Sequence, residues 1–528
     1  MSDTKSETVE FSTSHLRSRP KDVSNISINV STAQDSAKLE KQTRTNRLFS
    51  FAHLFAFSLT YMSTWEAILL NMYYSLYNGG PRTFLIWFFV VFLGALGQSA
   101  SLAEMASLQP IAGAQYHWTW ALSTGRFKRI ATWIQGWTTW FAYVSVIAGC
   151  TNVAVILLEA MIAMNNPSYV VSGWKTCVIS ISMCIFQGFL NTHAFQIIPY
   201  FELMAGVLHV SLFVIYVVVL AVMGTRNPAS FIVSTNYSSG WENPFVASNV
   251  GMLSLVWCFT AHEGVIHMGE EARKSKVDIP RASFWSIFMN GCLAFIMVIM
   301  SLVAMGPVED VLNASSAIQE IVFRTTGSTG ATTAMLAGVF IICFNVNLAS
   351  IASTSRLTWA WARDGGLPSY FSYVAPKQRV PIRAVALVTF IDCMLSLLNI
   401  ESTAYIAYGA IAALSALACY ISYAIAVGSM LHARWNARAE GGLKLGEWNL
   451  GRYGVYINIW ALMYSSWAII FLPFPSTIPV TATNMNYSGP VMGFVLLVAM
   501  TLWFAHARKH WPGPNISVID IVLANSKS

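Results

Sequence analysis

Twelve runs of apolar residues, each about as long as a lipid bilayer is thick, constrain this chain more than any other feature. They fall near 51–75, 83–106, 130–163, 174–190, 196–223, 247–268, 282–305, 331–357, 383–400, 404–431, 453–472 and 489–507. About 20 apolar residues cross the hydrocarbon core as a helix. Inside lipid the backbone must bond to itself, which leaves helices and closed barrels as the only spanning structures. Of the 528 residues, 55% are hydrophobic and 10% charged, against about 25% charged in soluble proteins. The expected fold class is therefore all-α integral membrane, with twelve transmembrane helices.

Charge placement orients the spans. Of 31 Lys and Arg, all but Arg82, Lys175, Arg226 and Arg324 lie in the two tails or in and beside the five loops that a cytoplasmic N-terminus places inside. This is the positive-inside pattern, so both termini are expected in the cytoplasm. The net charge of +7 then reflects topology, not nucleic-acid binding. Residues 1–47 are polar and Ser/Thr-rich, with Lys5, Lys21, Lys38 and Lys41 among them. They read as a disordered cytoplasmic tail, not a signal peptide, and the first span directs insertion. The eight cysteines form no Cys-x-x-Cys pair, and no metal or cofactor site is expected. Sequons at Asn236, Asn313 and Asn486 lie on expected outer loops, whereas those at Asn25, Asn29 and Asn515 lie on inner tails.

Two runs carry the same pentad. Ser63-Thr64-Trp65-Glu66-Ala67 lies in the first and Thr260-Ala261-His262-Glu263-Gly264 in the sixth. Each reads small, small, aromatic, glutamate, small, and sets a carboxyl near mid-span. A charge there costs about 2.5–3.5 kcal/mol on insertion scales, so such residues face a cavity and serve a function. Matching interruptions in corresponding spans of two halves point to a transporter's substrate site.

Three further stretches lie at the inner ends of spans. They are Ser101-Leu102-Ala103-Glu104-Met105-Ala106 before Pro110 and Gly113, His267-Met268-Gly269-Glu270-Glu271 before Ile279-Pro280-Arg281-Ala282, and Ala362-Arg363-Asp364-Gly365-Gly366-Leu367-Pro368. With Asn78-Gly79-Gly80-Pro81, they make residues 48–508 resemble the amino acid–polyamine–organocation transporters, and more narrowly the fungal amino acid/choline (choline/GABA permease-like) group. The resemblance implies a LeuT-like 5+5 inverted repeat plus two extra helices: repeats at 48–223 and 224–431, extra spans over 432–508, and a cytoplasmic tail at 509–528. It also implies that the first and sixth spans unwind around the substrate. Freed backbone groups and helix N-termini suit a zwitterion there. Amino-acid members commonly break the first span with a Gly-x-Gly type run, and Ser63-Thr64-Trp65-Glu66 stands in that place here.

On this mapping the substrate-binding candidates are Ser63, Thr64, Trp65, Glu66, Tyr143, Trp257, Phe259, Thr260, His262 and Glu263. Aromatic faces hold quaternary ammonium with about 2 kcal/mol or more when desolvated, so Trp65, Trp257, Phe259 and His262 with Glu66 or Glu263 suit choline or an amine. The Trp133, Trp137 and Trp140 stripe reads as helix packing. Proton-coupled relatives place a cation in the fifth span. His209 stands there, and Glu263, Glu66 and His209 are the proton-coupling candidates, since carboxyls and histidine can exchange protons within a cycle. Sodium is the alternative ion, with Ser350, Ser353 and Thr354 as oxygen donors. Asn345 and Asn347 are placed to line the cavity. Glu104, Glu270, Glu271 and Arg363 are expected to close the cytoplasmic side; Glu104, Glu159, Glu202 and Asp392, all but Asp392 near span ends and able to reach the interface or a neighbouring arginine, are expected to be structural or gating residues.

The reading is a plasma-membrane permease importing a small nitrogenous solute such as an amino acid, GABA or choline, by proton symport. A non-transporting nutrient sensor on the same scaffold is the rival. Neither a His-x-x-x-His pair within a span nor a Gly-x-Ser-x-Gly elbow occurs, so an enzyme is not expected.

Overall fold

The apolar runs fold as helices, the form in which each backbone N–H and C=O finds its partner locally. The computed structural model describes residues 47–314, 316–400, 404–437, 442–481 and 484–518. The expected N-terminal tail up to residue 46, with its lysines and the Asn25 and Asn29 sequons, lies outside the described residues, as does the C-terminal tail from 519.

The first run forms α1 (Phe51–Met62) and α2 (Thr64–Tyr77), which meet at Ser63. Then come α3 (Gly80–Leu108), the short α4 (Gln115–Leu122), α5 (Lys128–Asn165), α6 (Gly173–His193) and α7 (Ile198–Met223). The sixth run forms α8 (Pro244–Cys258) and, after a turn, a 3-10 segment over Gly264–Glu271. The remainder are α9 (Ser275–Ala304), α10 (Thr329–Arg363), α11 (Ile382–Ser396), α12 (Ala404–Asn436), α13 (Gly454–Phe471) and α14 (Ser488–Leu502). Among the described residues, ten helices are long and apolar enough to cross a membrane. The first and sixth runs fall short of that length because each is interrupted.

The long helix α5 packs along α10 and α12, while α9 lies against α1, α2 and α3. Outer faces carry the large exposed apolar side chains, such as Val178, Ile185 and Phe189 on α6. Polar residues turn inward: Glu66, His209, Glu263, Asn290, Asn347 and Asp392 are all buried. This inversion of a soluble protein's surface is what lipid requires. Before α1, Phe49 exchanges backbone bonds with Glu271 and Arg273 at 3.3 and 3.2 Å, tying the chain's entry to the end of the 3-10 segment.

One sequon is already committed. The Asn486 amide nitrogen, the atom a glycan would need, donates to the carbonyls of Leu472 and Phe474 at 2.7 and 3.0 Å.

Candidate functional site

Both interruptions fall inside the two pentads. Ser63 has φ 38° and Ala261 φ 61°, left-handed values that strain any residue with a Cβ by about 1–2 kcal/mol. At Ser63 the helical bond from the Thr64 N–H to the Thr60 carbonyl is replaced on both sides. Ser63 Oγ donates to Thr60 O at 2.5 Å, and the Thr64 N–H donates to Asn290 Oδ1 at 3.3 Å. Asn290, on α9, also donates to Leu59 O at 2.9 Å, so one amide bridges α1 and α2. Replacing Asn290 by leucine strands a buried N–H at a cost of about 1–3 kcal/mol. The thermal midpoint of the purified protein is expected to fall by several degrees, more than with the isosteric Asn290→Asp. At the second break the Ala261 N–H donates to Tyr423 Oη at 2.9 Å.

A cavity of about 50 Å³ lies where the breaks meet α5 and α10. The first run lines it with Tyr61, Met62, Ser63, Glu66, Ala67 and Leu70, α5 with Val146, Cys150 and Val153, the sixth run with Trp257, Cys258, Thr260 and Ala261, and α10 with Cys343 and Val346. Glu66 is the charged group in that lining. A larger recess of about 460 Å³ adjoins it, between α2, α8, α12 and the end of α13, and Trp257 belongs to both. The indole, whose Nε1 donates to Ser415 Oγ at 3.3 Å, stands between them.

Of the ten substrate candidates, Ser63, Glu66, Trp257 and Thr260 line this cavity. The others lie outside its lining. Trp65 stacks towards α7, with ring centroids 6.0, 6.1 and 5.2 Å from His209, Phe213 and Tyr216. Phe259 packs among Phe88 and Phe92 at 6.0 and 5.9 Å. Tyr143 meets His267 edge-on at 4.5 Å. Thr64 is buried at the α9 contact. His262 Nδ1 lies 3.3 Å from Phe259 O, and its ring packs on Tyr423. Glu263 is held by Tyr423 Oη at 2.5 Å and by Gln115 Nε2 at 2.9 Å. Glu66 and Glu263, alike in sequence, thus have different company. Glu66 Oε1 is 2.7 Å from His209 Nδ1, whereas Glu263 meets neutral donors from α4 and α12.

The hydroxyls considered for sodium bond to the backbone: Ser350 to Val346 O, Ser353 to Gly264 O and Thr354 to Tyr143 O, at 2.8, 2.8 and 3.4 Å. Asn345 and Asn347 flank the cavity residue Val346 without lining the cavity themselves. Asn345 donates to Glu202 at 2.8 Å, and Asn347 donates to Thr151 and Gln187 at 2.8 and 2.7 Å. The carboxyls expected to meet an arginine or the interface divide. Glu104 pairs with Arg434, but Glu159 meets Tyr169 and Thr176 at 3.0 and 2.7 Å. Asp392 is deeply buried, accepting from Thr151 and Cys184 at 3.0 and 2.9 Å.

The end rich in Lys and Arg is sealed by buried ion pairs. Arg363 forks onto Glu270 at 3.1 and 3.2 Å, and Arg356 Nε donates to Glu271 at 2.9 Å while its guanidinium covers Phe195 at 3.9 Å. Beside them Asp364 gathers Tyr116 Oη and His117 Nε2 at 2.7 and 2.8 Å. The chain beyond α14 joins this layer, with the Trp511 indole donating to Asp364 O at 2.7 Å and the Asn515 N–H to Asp364 Oδ1 at 3.0 Å. Sequence reading did not single out Tyr61, Asn290, Tyr423 or Arg434. Asn290 carried a usable signal, as an amide in the middle of an apolar run.

A helical, lipid-adapted chain with a mostly apolar cavity holding one carboxyl at two matched helix breaks has the architecture of a membrane transporter. The model of the amino acid permease family matches residues 49–497, and the chain belongs to that family. It is 26% identical over 482 residues to amino-acid permease 2 of Neurospora crassa, covering 89% of this chain and 86% of that one. It is 27% identical over 466 residues to a choline transporter of Saccharomyces cerevisiae, covering 86% and 80%. To the transmembrane transporter swnT of Metarhizium robertsii it is 28% identical over 446 residues, covering 82% and 86%.

Proposed function

We propose that this protein is a secondary permease that imports a small nitrogenous solute, an amino acid, GABA or a choline-type amine, by proton symport across the plasma membrane. The observation that carries the reading is the cavity itself: a carboxylate, an indole and a phenol at two helix breaks suit an ammonium head group, which carboxylate charge and aromatic faces both attract. Relatives named as an amino-acid permease and a choline transporter support that solute class.

In this reading the interrupted runs each count as one span, giving twelve. Repeats over 48–223 and 224–431 rock around the site, with two further spans over 432–508 and both termini in the cytoplasm. The open recess then faces outward. Ser63, Glu66, Trp257 and Thr260 contact solute directly. Thr64, Trp65, Tyr143, Phe259, His262 and Glu263 shape the site behind them. Glu66 with His209, and Glu263, exchange the coupling proton. Glu104, Glu270, Glu271 and Arg363 hold the inner side shut.

The test is uptake of labelled choline and labelled GABA into proteoliposomes, with and without an inward proton gradient, in wild type and Glu263→Gln. Gradient-driven uptake of one solute, lost on substitution of Glu263, is the expected result. Uptake indifferent to both would move the coupling to sodium or exchange. Saturable binding without uptake would make the protein a sensor.

A further inference from the structure

The break at Ser63 divides the first run into two pieces, and each piece is fastened to the same helix by a buried acid. Three residues before the break, Thr60 Oγ1 donates to Glu202 Oε2 at 3.0 Å. Three residues after it, Glu66 Oε1 meets His209 Nδ1 at 2.7 Å. Glu202 and His209 are seven residues apart on α7, two turns along one face. A second donor, Asn345 Nδ2 on α10, reaches the same Glu202 oxygen at 2.8 Å. Glu202 Oε1 is buried and has no partner.

We infer that Glu202 is a second proton-responsive residue of the transport cycle, a clamp whose ionised carboxylate holds α1 to α7 and α10 and whose protonation at Oε1 lets α1 go. The proton added is the only atom transferred. The free oxygen accepts it, while the two bonds to the other oxygen change from charge-assisted to ordinary, about half as strong. The helices packed on this stretch of α7 are α1, α9 and α10. Their contacts with Glu202 are the neutral Thr60 and Asn345, and no charged group bears on it among the described residues. The titratable and charged groups facing α7 nearby are His53 of α1, against Tyr200, Cys343 of α10, the His209–Glu66 pair, and Arg356, which Glu271 holds. A buried carboxylate with no counter-charge is strongly affected by gaining a proton, because an unpaired buried charge is costly. The two fastenings lie on opposite sides of one backbone break, so each piece can be released without the other. This deepens the symport reading given above and rests on it for its purpose, but the experiment contains no transport step.

Leu54 is a fully buried residue of α1 and Phe51 an exposed one. In nanodiscs without solute, and with the exposed Cys292 replaced by serine, the maleimide labelling rate of Leu54→Cys is divided by that of Phe51→Cys. The ratio should rise at least fivefold as pH is lowered. Adding Glu202→Gln should abolish this dependence, and Thr60→Val should raise the ratio at high pH. A wild-type slope in Glu202→Gln, or no slope in wild type, would overturn the proposal. Monodisperse elution of Thr60→Val, which keeps the acid, guards against misfolding as the cause.

Discussion

Alanine in place of Glu66 is expected to lower the initial rate of choline or GABA uptake by two orders of magnitude or more. Two losses combine. The cavity lining loses its charged group, and His209, 2.7 Å away and fully buried, loses its partner. Leaving a buried polar group without its partner costs about 1–3 kcal/mol, and more for a charged one, and about 1.4 kcal/mol corresponds to a factor of ten. Glu66→Asp, which keeps the charge but shortens the reach, should lose far less. The measurement is uptake into proteoliposomes at matched protein density. Glu66→Ala transport within threefold of wild type would remove Glu66 from the site.

The second large effect is in the ion-paired layer at the end rich in Lys and Arg. Methionine in place of Arg363 leaves Glu270 buried without its guanidinium, in a layer where both side chains are at most 5% exposed. The thermal midpoint of the detergent-purified protein, followed by tryptophan fluorescence, should drop by several degrees. Pairing the change with Glu270→Met should restore most of it, because replacing both partners by apolar groups removes the stranded charge. A double variant as unstable as the sum of its parts would show that the two residues do not act as a pair.

Helix placement was legible in the sequence because lipid imposes one rule on the whole chain. Every apolar run holds a helix, and even the two interrupted ones break within their marked pentads, at Ser63 and Ala261. What the pentads could not convey was facing direction. Trp65 and Glu66 are neighbours, 100° apart on a helix, so one turns to α7 while the other reaches the cavity. The same limit hid the partners. Gln115 and Tyr423 lie 148 and 160 residues from Glu263, and Arg434 lies 330 from Glu104. No local pattern encodes such distances. The cysteines show the point from the other side. Cys150, Cys258 and Cys343 belong to no motif in the sequence, and the structure sets all three in the cavity wall.

The Glu66–His209 pair also bears on biogenesis. Its two members are 143 residues apart in the chain. At a synthesis rate of about 5–20 residues per second, the first run waits roughly 7 to 30 seconds for its partner to emerge. During that interval the nascent segment offers a carboxyl to lipid or to the insertion machinery, with nothing yet made to receive it. The order of translation thus makes α7, which carries both His209 and Glu202, a late-made receiver for the buried polar groups of that run.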